Sequence, residues 1–262
     1  MFVIMSGSSG VGKNTVIKEM QKTMHNLVLM PTYTTREKRE GEVEGLPYFY
    51  ISKEVFQDKI KNNEFIEYEF IHNNYYGSSY KIFDEYLQKG MILTKDIGVE
   101  GAQNLSQKMK EHTEMLKIFL SINKKSELKK RLIGRGEKNI KLRLNRYKYE
   151  QKQQNKFDFI ICNIDLEATT KILKKLITVG EQDYYFKKDL HKLSPYKVKY
   201  YINKLTSGKT LKPIKIALCD EKVCVLKDEE KLVASFLCKK PVAKMVVYKN
   251  INPDKYCNKF DL

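Results

Sequence analysis

Short apolar runs bounded by turn residues alternate with segments of helical period over the first two thirds of the chain, the pattern of a mostly parallel sheet covered by helices. The runs from Phe2 to Met5, Leu27 to Met30, Met91 to Asp96, Leu116 to Ile122 and Phe157 to Cys162 predict strands. The spacing predicts helices from Lys13 to about Met24, Val99 to Glu111, Lys125 to Ile133, Ile140 to Gln154 and Leu166 to Glu181. Between the second and third of these strands, residues 32–88 are dense in Tyr, Phe, Glu and Gly and break the rhythm, which predicts an inserted subdomain. The run from Asp183 to Asp189 leads into a region whose only cations besides His are lysines, so a domain boundary is expected near 186. From Leu193 to Tyr248 the pattern reads helix, strand, strand, helix, strand. The fold expected is therefore α/β over 1–185, followed by a small α+β domain over 186–262.

Composition agrees and adds a direction. A chain of 262 residues accommodates one ordinary domain and a small one. With 42% hydrophobic and 11% aromatic residues it can build a core, which excludes a disordered chain. The formal charge of +17 invites a nucleic-acid partner. A nucleotide enzyme also needs positive charge where it binds phosphate, so charge alone does not decide between them. The arginines are more telling: Arg36, Arg39, Arg131, Arg135, Arg143 and Arg146 all precede residue 150 and form two clusters. Residues 186–262 hold 18 Lys, no Arg and eight acids. Arg grips phosphate with a rigid two-point fork, whereas Lys is a point charge. Phosphate chemistry is thus expected in the first part. The basic C-terminal part leaves a nucleic-acid or protein partner open, without a motif for either. Five cysteines with no C-x-x-C pair exclude a zinc ribbon and a disulfide framework. The start MFVIMSG has no basic n-region, and no apolar run reaches the ~18 residues of a membrane span. No membrane association and a reducing cytoplasmic location are expected.

Gly7-Ser8-Ser9-Gly10-Val11-Gly12-Lys13 matches G-x-x-x-x-G-K between a predicted strand and a predicted helix, the setting of a phosphate-binding loop. Its glycines let backbone N–H groups turn inward, the helix N-terminus adds partial positive charge, and Lys13 reaches the outer phosphates of ATP. The residue after the lysine, usually Ser or Thr, is Asn14, followed by Thr15. Mg²⁺ is expected to meet Asn14 or Thr15, and Asp96 through water, since the ion takes oxygen donors and keeps several waters.

The segment Thr34-Thr35-Arg36-Glu37-Lys38-Arg39-Glu40-Gly41-Glu42-Val43-Glu44-Gly45-Leu46-Pro47-Tyr48-Phe49 resembles the T-T-R-x-x-R-x-G-E-x-x-G-x-x-Y-x-F of guanylate kinases. The resemblance continues through Asn63 to Glu67, Asn74 to Ser78, Arg131 to Gly136 and Asp158 to Asn163, covering about 1–182. It implies a P-loop nucleoside monophosphate kinase with a parallel sheet core, a monophosphate-binding insert at about 32–88 and a short lid at about 126–146. Arg36, Arg39, Tyr48 and Tyr76 would hold the GMP phosphate, and Thr32, Glu67 and Ser78 would face the guanine. The residue chemistry concurs, because paired Arg with tyrosine hydroxyls suits a dianion and a carboxylate accepts from guanine N1 and N2. Arg131, Arg135 and Arg143 resemble lid arginines that close over the phosphates. Arg143 is preferred to Arg146 because Ile140 to Leu144 fits the family's I-x-x-R-L. Lys13, Asp96 and these three arginines form the expected catalytic set, and Asn163 is expected near the adenine or as a plain strand-end turn residue.

One motif departs. The family's D-I-D-x-Q-G is here Asp96-Ile97-Gly98-Val99-Glu100-Gly101, so a carboxylate that helps recognise guanine has become glycine. The expected reaction is Mg²⁺-dependent transfer from ATP to GMP or dGMP. A non-catalytic guanylate-kinase-like binding module and a kinase for another or modified monophosphate are the alternatives. The layout after 190 resembles ParB/sulfiredoxin-like domains. Their D-G-x-H-R-like phosphate turn is replaced by Asp228-Glu229-Glu230-Lys231-Leu232, which implies a binding or structural role, the other reading being an exposed charged turn in an unrelated domain.

Overall fold

The computed structural model describes residues 1–71, 73–178, 184–186, 193–219, 222–240, 242–246 and 258–260. In chain order the elements are β1 (Phe2–Ser6), α1 (Lys13–Gln21), β2 (Leu27–Leu29), β3 (Thr32–Thr34), β4 (Val43–Glu44), β5 (Pro47–Tyr50), α2 (Lys53–Lys61), β6 (Phe65–Ile71), β7 (Asn74–Ser79) and α3 (Tyr80–Gln88). There follow β8 (Ile92–Asp96), α4 (Val99–Met109), β9 (Met115–Ser121), α5 (Lys125–Gly134), α6 (Ile140–Gln153), β10 (Phe159–Cys162), α7 (Leu166–Thr178) and β11 (Tyr184–Phe186). The last are α8 (Pro195–Thr206), β12 (Ile214–Cys219), β13 (Lys222–Lys227), α9 (Glu229–Leu237), β14 (Lys244–Val246) and β15 (Asn258–Phe260). The fold is α/β with mostly parallel strand pairing. The chain divides into two compact units, Met1–Met5 with Ile17–Leu116, and Ser6–Val16 with Lys117–Leu262.

In the first unit β8 pairs in parallel with β1 on one side and β2 on the other. The five residues of β1 are all buried, as a strand covered on both faces must be. Phe2 meets the edge of Phe83 from α3 at 5.1 Å between ring centroids. The insert is a five-stranded sheet in the order β4-β5-β3-β7-β6. Its own small core is aromatic: Phe56 of α2 stacks on Phe65 at 4.4 Å and on Tyr75 at 5.0 Å. Gly77 makes this stack possible, because a Cβ there would lie 2.8 Å from Phe56 and 2.9 Å from Phe65. Ser52 starts α2 and Ser79 starts α3, each accepting a backbone N–H three residues on.

In the second unit β9, β10, β14 and β12 form successive parallel pairs, and β12 turns back antiparallel into β13. The boundary expected near 186 thus falls within this unit, where Phe159↔Lys244 and Ile161↔Val246 are in register. Leu166–Thr178 ends within the span predicted as helix to Glu181, whose last residues lie outside the described ones. The turn at Asp228 is not the exposed charged turn that one reading expected. Asp228 adopts φ +69°, and Glu229, Glu230 and Lys231 in the first turn of α9 are buried. Lys231 Nζ is tied to the Lys212 carbonyl at 3.1 Å and to Asp228 at 3.2 Å.

Candidate active site

Two groups of polar residues form, one inside each unit. The first is built by strand register in the insert. Parallel pairing of β3 with β5 sets Thr32 opposite Tyr48, and antiparallel pairing with β7 sets Thr34 opposite Tyr76. Pairing of β6 with β7 sets Glu67 opposite Ser78. Residues from sequence positions 32 to 78 therefore meet because of backbone hydrogen bonding.

At one end of this group Arg36 grips Glu42 in two-point contact, Nη2 lying 2.8 Å from Oε1 and 3.0 Å from Oε2. Its guanidinium sits over the rings of Tyr48 and Tyr50, 5.3 and 5.6 Å from their centroids. Glu42 Oε2 also accepts from the Tyr50 hydroxyl at 2.7 Å and from the Arg39 backbone N–H at 2.8 Å. The Arg36 guanidinium foremost, then the Arg39 N–H and the Tyr50 hydroxyl, hold the Glu42 carboxyl at about 2. Arg36 is raised in return, chiefly by its bond to Glu42. Burial, then the nearby Tyr76, pushes the Tyr48 hydroxyl up, so it stays a hydrogen-bond donor. The Tyr48 and Tyr76 rings lie 6.0 Å apart. Such an end presents fixed cationic and phenolic donors, the equipment for a phosphate dianion.

At the other end the Ser78 hydroxyl donates to Glu67 Oε1 at 2.6 Å. Lys95 enters from β8: its ammonium donates to Thr32 Oγ1 at 3.0 Å and to Ser78 Oγ, and lies 3.3 Å from Glu67 Oε1. Asp96, the next residue, stands in register with Met5 of β1, and Gly98 begins α4 without a side-chain cap.

The second group surrounds the glycine-rich loop. Gly7 has φ +137°, and a Cβ there would collide with the Leu120 carbonyl. Gly10 admits Leu128 and Leu132 of α5, and Gly12 admits the Asn163 amide. Lys13 Nζ donates to the Gly7 carbonyl at 2.7 Å, so the ammonium lies along the inner edge of the loop. Asn14 and Thr15 are exposed in the first turn of α1. Arg131 donates to the carbonyls of Val11 at 3.1 Å and Asn163 at 2.9 Å. Arg135 donates to Ser9 Oγ and to Glu137, each at 2.8 Å, and Arg143 lies 3.5 Å from the same Glu137 oxygen. Arg146 instead meets Glu150 at 3.6 Å. Buried Asn163 donates its amide to the Val11 carbonyl at 2.7 Å and accepts from Thr169 at 3.0 Å, so it clamps the loop to the end of β10.

Four partners were missed from sequence. Tyr50 follows Tyr48 by two on a strand and so shares its face, and Glu42 lies in the motif itself; both signals were readable. Lys95 was visible as the one cation in an apolar run, and Glu137 as an acid between arginines. Among the described residues no three His, Cys, Asp or Glu side chains gather to hold a metal. Asn14, Thr15 and Asp96 carry oxygen donors of the kind a magnesium ion takes beside phosphate and water. Among those residues no helix is long and apolar enough to cross a membrane.

The guanylate kinase family model matches residues 1–179. A guanylate kinase of Prochlorococcus marinus is 40% identical over 178 residues, covering 67% of this chain and 95% of that protein. One of Wolinella succinogenes is 36% identical over 174 residues, covering 65% and 80%. The crystal structure of guanylate kinase from Anaplasma phagocytophilum superimposes with a TM-score of 0.51 at 26% identity, covering 68% of this chain and 85% of that one.

Proposed function

The chain belongs to the guanylate kinase family, and from that premise we propose that it transfers the terminal phosphoryl group of ATP to GMP or dGMP through the two residue groups described. The observation that carries the assignment of roles is the Arg36–Glu42–Tyr50 network beside Tyr48 and Tyr76, which fixes donors for one phosphate in the first unit. Thr32, Glu67 and Ser78 face the acceptor base, with Glu67 accepting a hydrogen bond from its N1–H. In the second unit the loop from Gly7 to Lys13 wraps the ATP phosphates, and Asn163 keeps the loop in shape rather than reading adenine.

Phosphoryl transfer asks mainly for positioning and for neutralising charge on the moving group. Lys13, Arg131, Arg135 and Arg143 supply that charge, and Glu137 aligns the last two. Asn14 or Thr15, and Asp96 through water, would hold Mg²⁺, whose charge would help neutralise the phosphate oxygens. The intact loop lysine and both arginine clusters favour an enzyme over a binding module. For residues beyond 186 we retain ParB/sulfiredoxin-like kinship. It is supported by the order α8, β12, β13, α9, β14, with the hairpin leading into the Asp228 turn. Burial of Glu229 and Glu230 at the start of α9 leaves that turn no role in binding an anion. Five cysteines without a C-x-x-C pair suit the reducing cytoplasm proposed as its location.

The test is ADP release with Mg·ATP across GMP, dGMP, AMP, CMP and UMP. GMP or dGMP should be used at least tenfold better than the others, and Arg39→Ala should weaken GMP use more than tenfold. Equal use of AMP and GMP would remove the guanine assignment.

A further inference from the structure

Lys95 is a buried cation in the acceptor group. It lies inside an apolar strand, is 9% exposed, and turns its ammonium into the cluster assigned to the base. Its ammonium donates to Thr32 Oγ1 and Ser78 Oγ and forms an ion pair with Glu67, 3.3 Å from Oε1. The Ser78 hydroxyl, held by that ammonium, donates to the same Oε1. One oxygen of the Glu67 carboxylate is thus spent on the protein, and only Oε2 is left to meet a ligand.

Guanine presents two donors on the edge a carboxylate reads, N1–H and the 2-amino group, and satisfying both takes both carboxylate oxygens. With Oε1 occupied, Glu67 takes one of them. N1–H is common to guanine and hypoxanthine, whereas adenine offers a lone pair at N1 and meets Oε2 with repulsion. The 2-amino group goes without its usual carboxylate oxygen.

We infer that Lys95 is a specificity-determining residue that sets the acceptor class as 6-oxopurine monophosphates, with the 2-amino group contributing little to selection. The inference rests on Thr32, Glu67 and Ser78 facing the base. A site that hydrogen-bonds a substrate group normally rejects the analogue lacking it by a large factor; here that factor is given up for the 2-amino group and kept for N1–H.

The experiment compares kcat/KM for GMP, IMP and AMP with Mg·ATP, and Kd for GMP and IMP by calorimetry, on the full chain and on Lys95→Met. In the unmodified protein GMP should exceed IMP by less than tenfold while AMP lags both by more than a hundredfold. Lys95→Met removes the ammonium from Oε1 and releases the Ser78 hydroxyl, which it holds in place, to turn away, and should raise the GMP-to-IMP ratio at least tenfold, in Kd as well as in kcat/KM. If Lys95→Met fails to fold, Lys95→Leu, which likewise brings no donor to Oε1, reads the same ratio. A GMP preference of tenfold or more in the unmodified protein, or a ratio unmoved by the substitution, overturns the inference while leaving the kinase reading intact. Failure to use either GMP or IMP overturns the kinase reading and this inference with it.

Discussion

Glu42 organises the phosphate end of the acceptor group although it touches no phosphate in the proposed scheme. It fixes the Arg36 fork, the Tyr50 hydroxyl and the Arg39 backbone through one carboxylate. Because its folded-state value is depressed from 4.5 to about 2, its contribution is fully present above pH 4.5 and is lost as pH falls through about 2. Glu42→Gln should therefore lower the urea midpoint at pH 6. The gap from the unmodified protein should close between pH 4.5 and pH 2, and a gap constant over that range would deny the pairing. The same variant should raise KM for GMP severalfold with kcat less affected, since a loosened Arg36 weakens binding. In the sequence, Arg36, Arg39, Tyr48 and Tyr76 were expected at the phosphate through the resemblance to guanylate kinases, and Arg36, Tyr48 and Tyr76 do come together. Glu42, Glu137 and Lys95 stood in view as residues, but their partners did not, because what an acid or a lysine does depends on which partner the fold brings to it. Lys95 and Thr32 are 63 positions apart and meet only through tertiary contact.

Hydrophobic period located β1, β2, β8, β9 and β10 and the helices α1, α4, α5, α6 and α7 to within a few residues. The strands open on apolar runs, and α4 and α7 bury an apolar face. In the insert, short strands of mixed polarity gave no such signal, and register rather than period places the ligand-facing side chains. Gly77 is central to that register, since it lets Phe56 and Phe65 close over β7 between Tyr76 and Ser78. Gly77→Ala forces a methyl group into the two rings. Overpacking of this kind costs about 1–3 kcal/mol. The expected result is a loss of that size in denaturant unfolding, with KM for GMP rising more than KM for ATP. Equal effects on both nucleotides would show that the insert does not act as the acceptor-binding element.

For the molecule as a whole, the expectation of a separate domain after 186 came from a change in charge composition, which does not register strand pairing. The pairing of β10 with β14 links residues more than 80 positions apart, and no local pattern announces it. The relative from Prochlorococcus marinus is covered over 95% of its length by 178 residues, so the family's fold is complete without an extension. A chain ending near Glu181 should accordingly retain measurable activity. Its β10 would become an edge strand with unpaired backbone groups, so the truncated chain should unfold at a lower temperature and aggregate more readily. A folded, monomeric and wholly inactive truncation would show instead that the extension takes part in the reaction.

In the proposed reaction a phosphoryl group leaves ATP at the loop around Lys13 and arrives on GMP. The direct measurement follows ATP labelled in its terminal phosphate, with GMP and Mg²⁺, and resolves the products. Label should appear in GDP, one for each ADP formed, and Lys13→Ala should cut its rate at least a hundredfold, because the loop lysine is the fixed charge nearest the transferred group in this scheme. Label released only as inorganic phosphate, or GDP formed at an undiminished rate by Lys13→Ala, would contradict it.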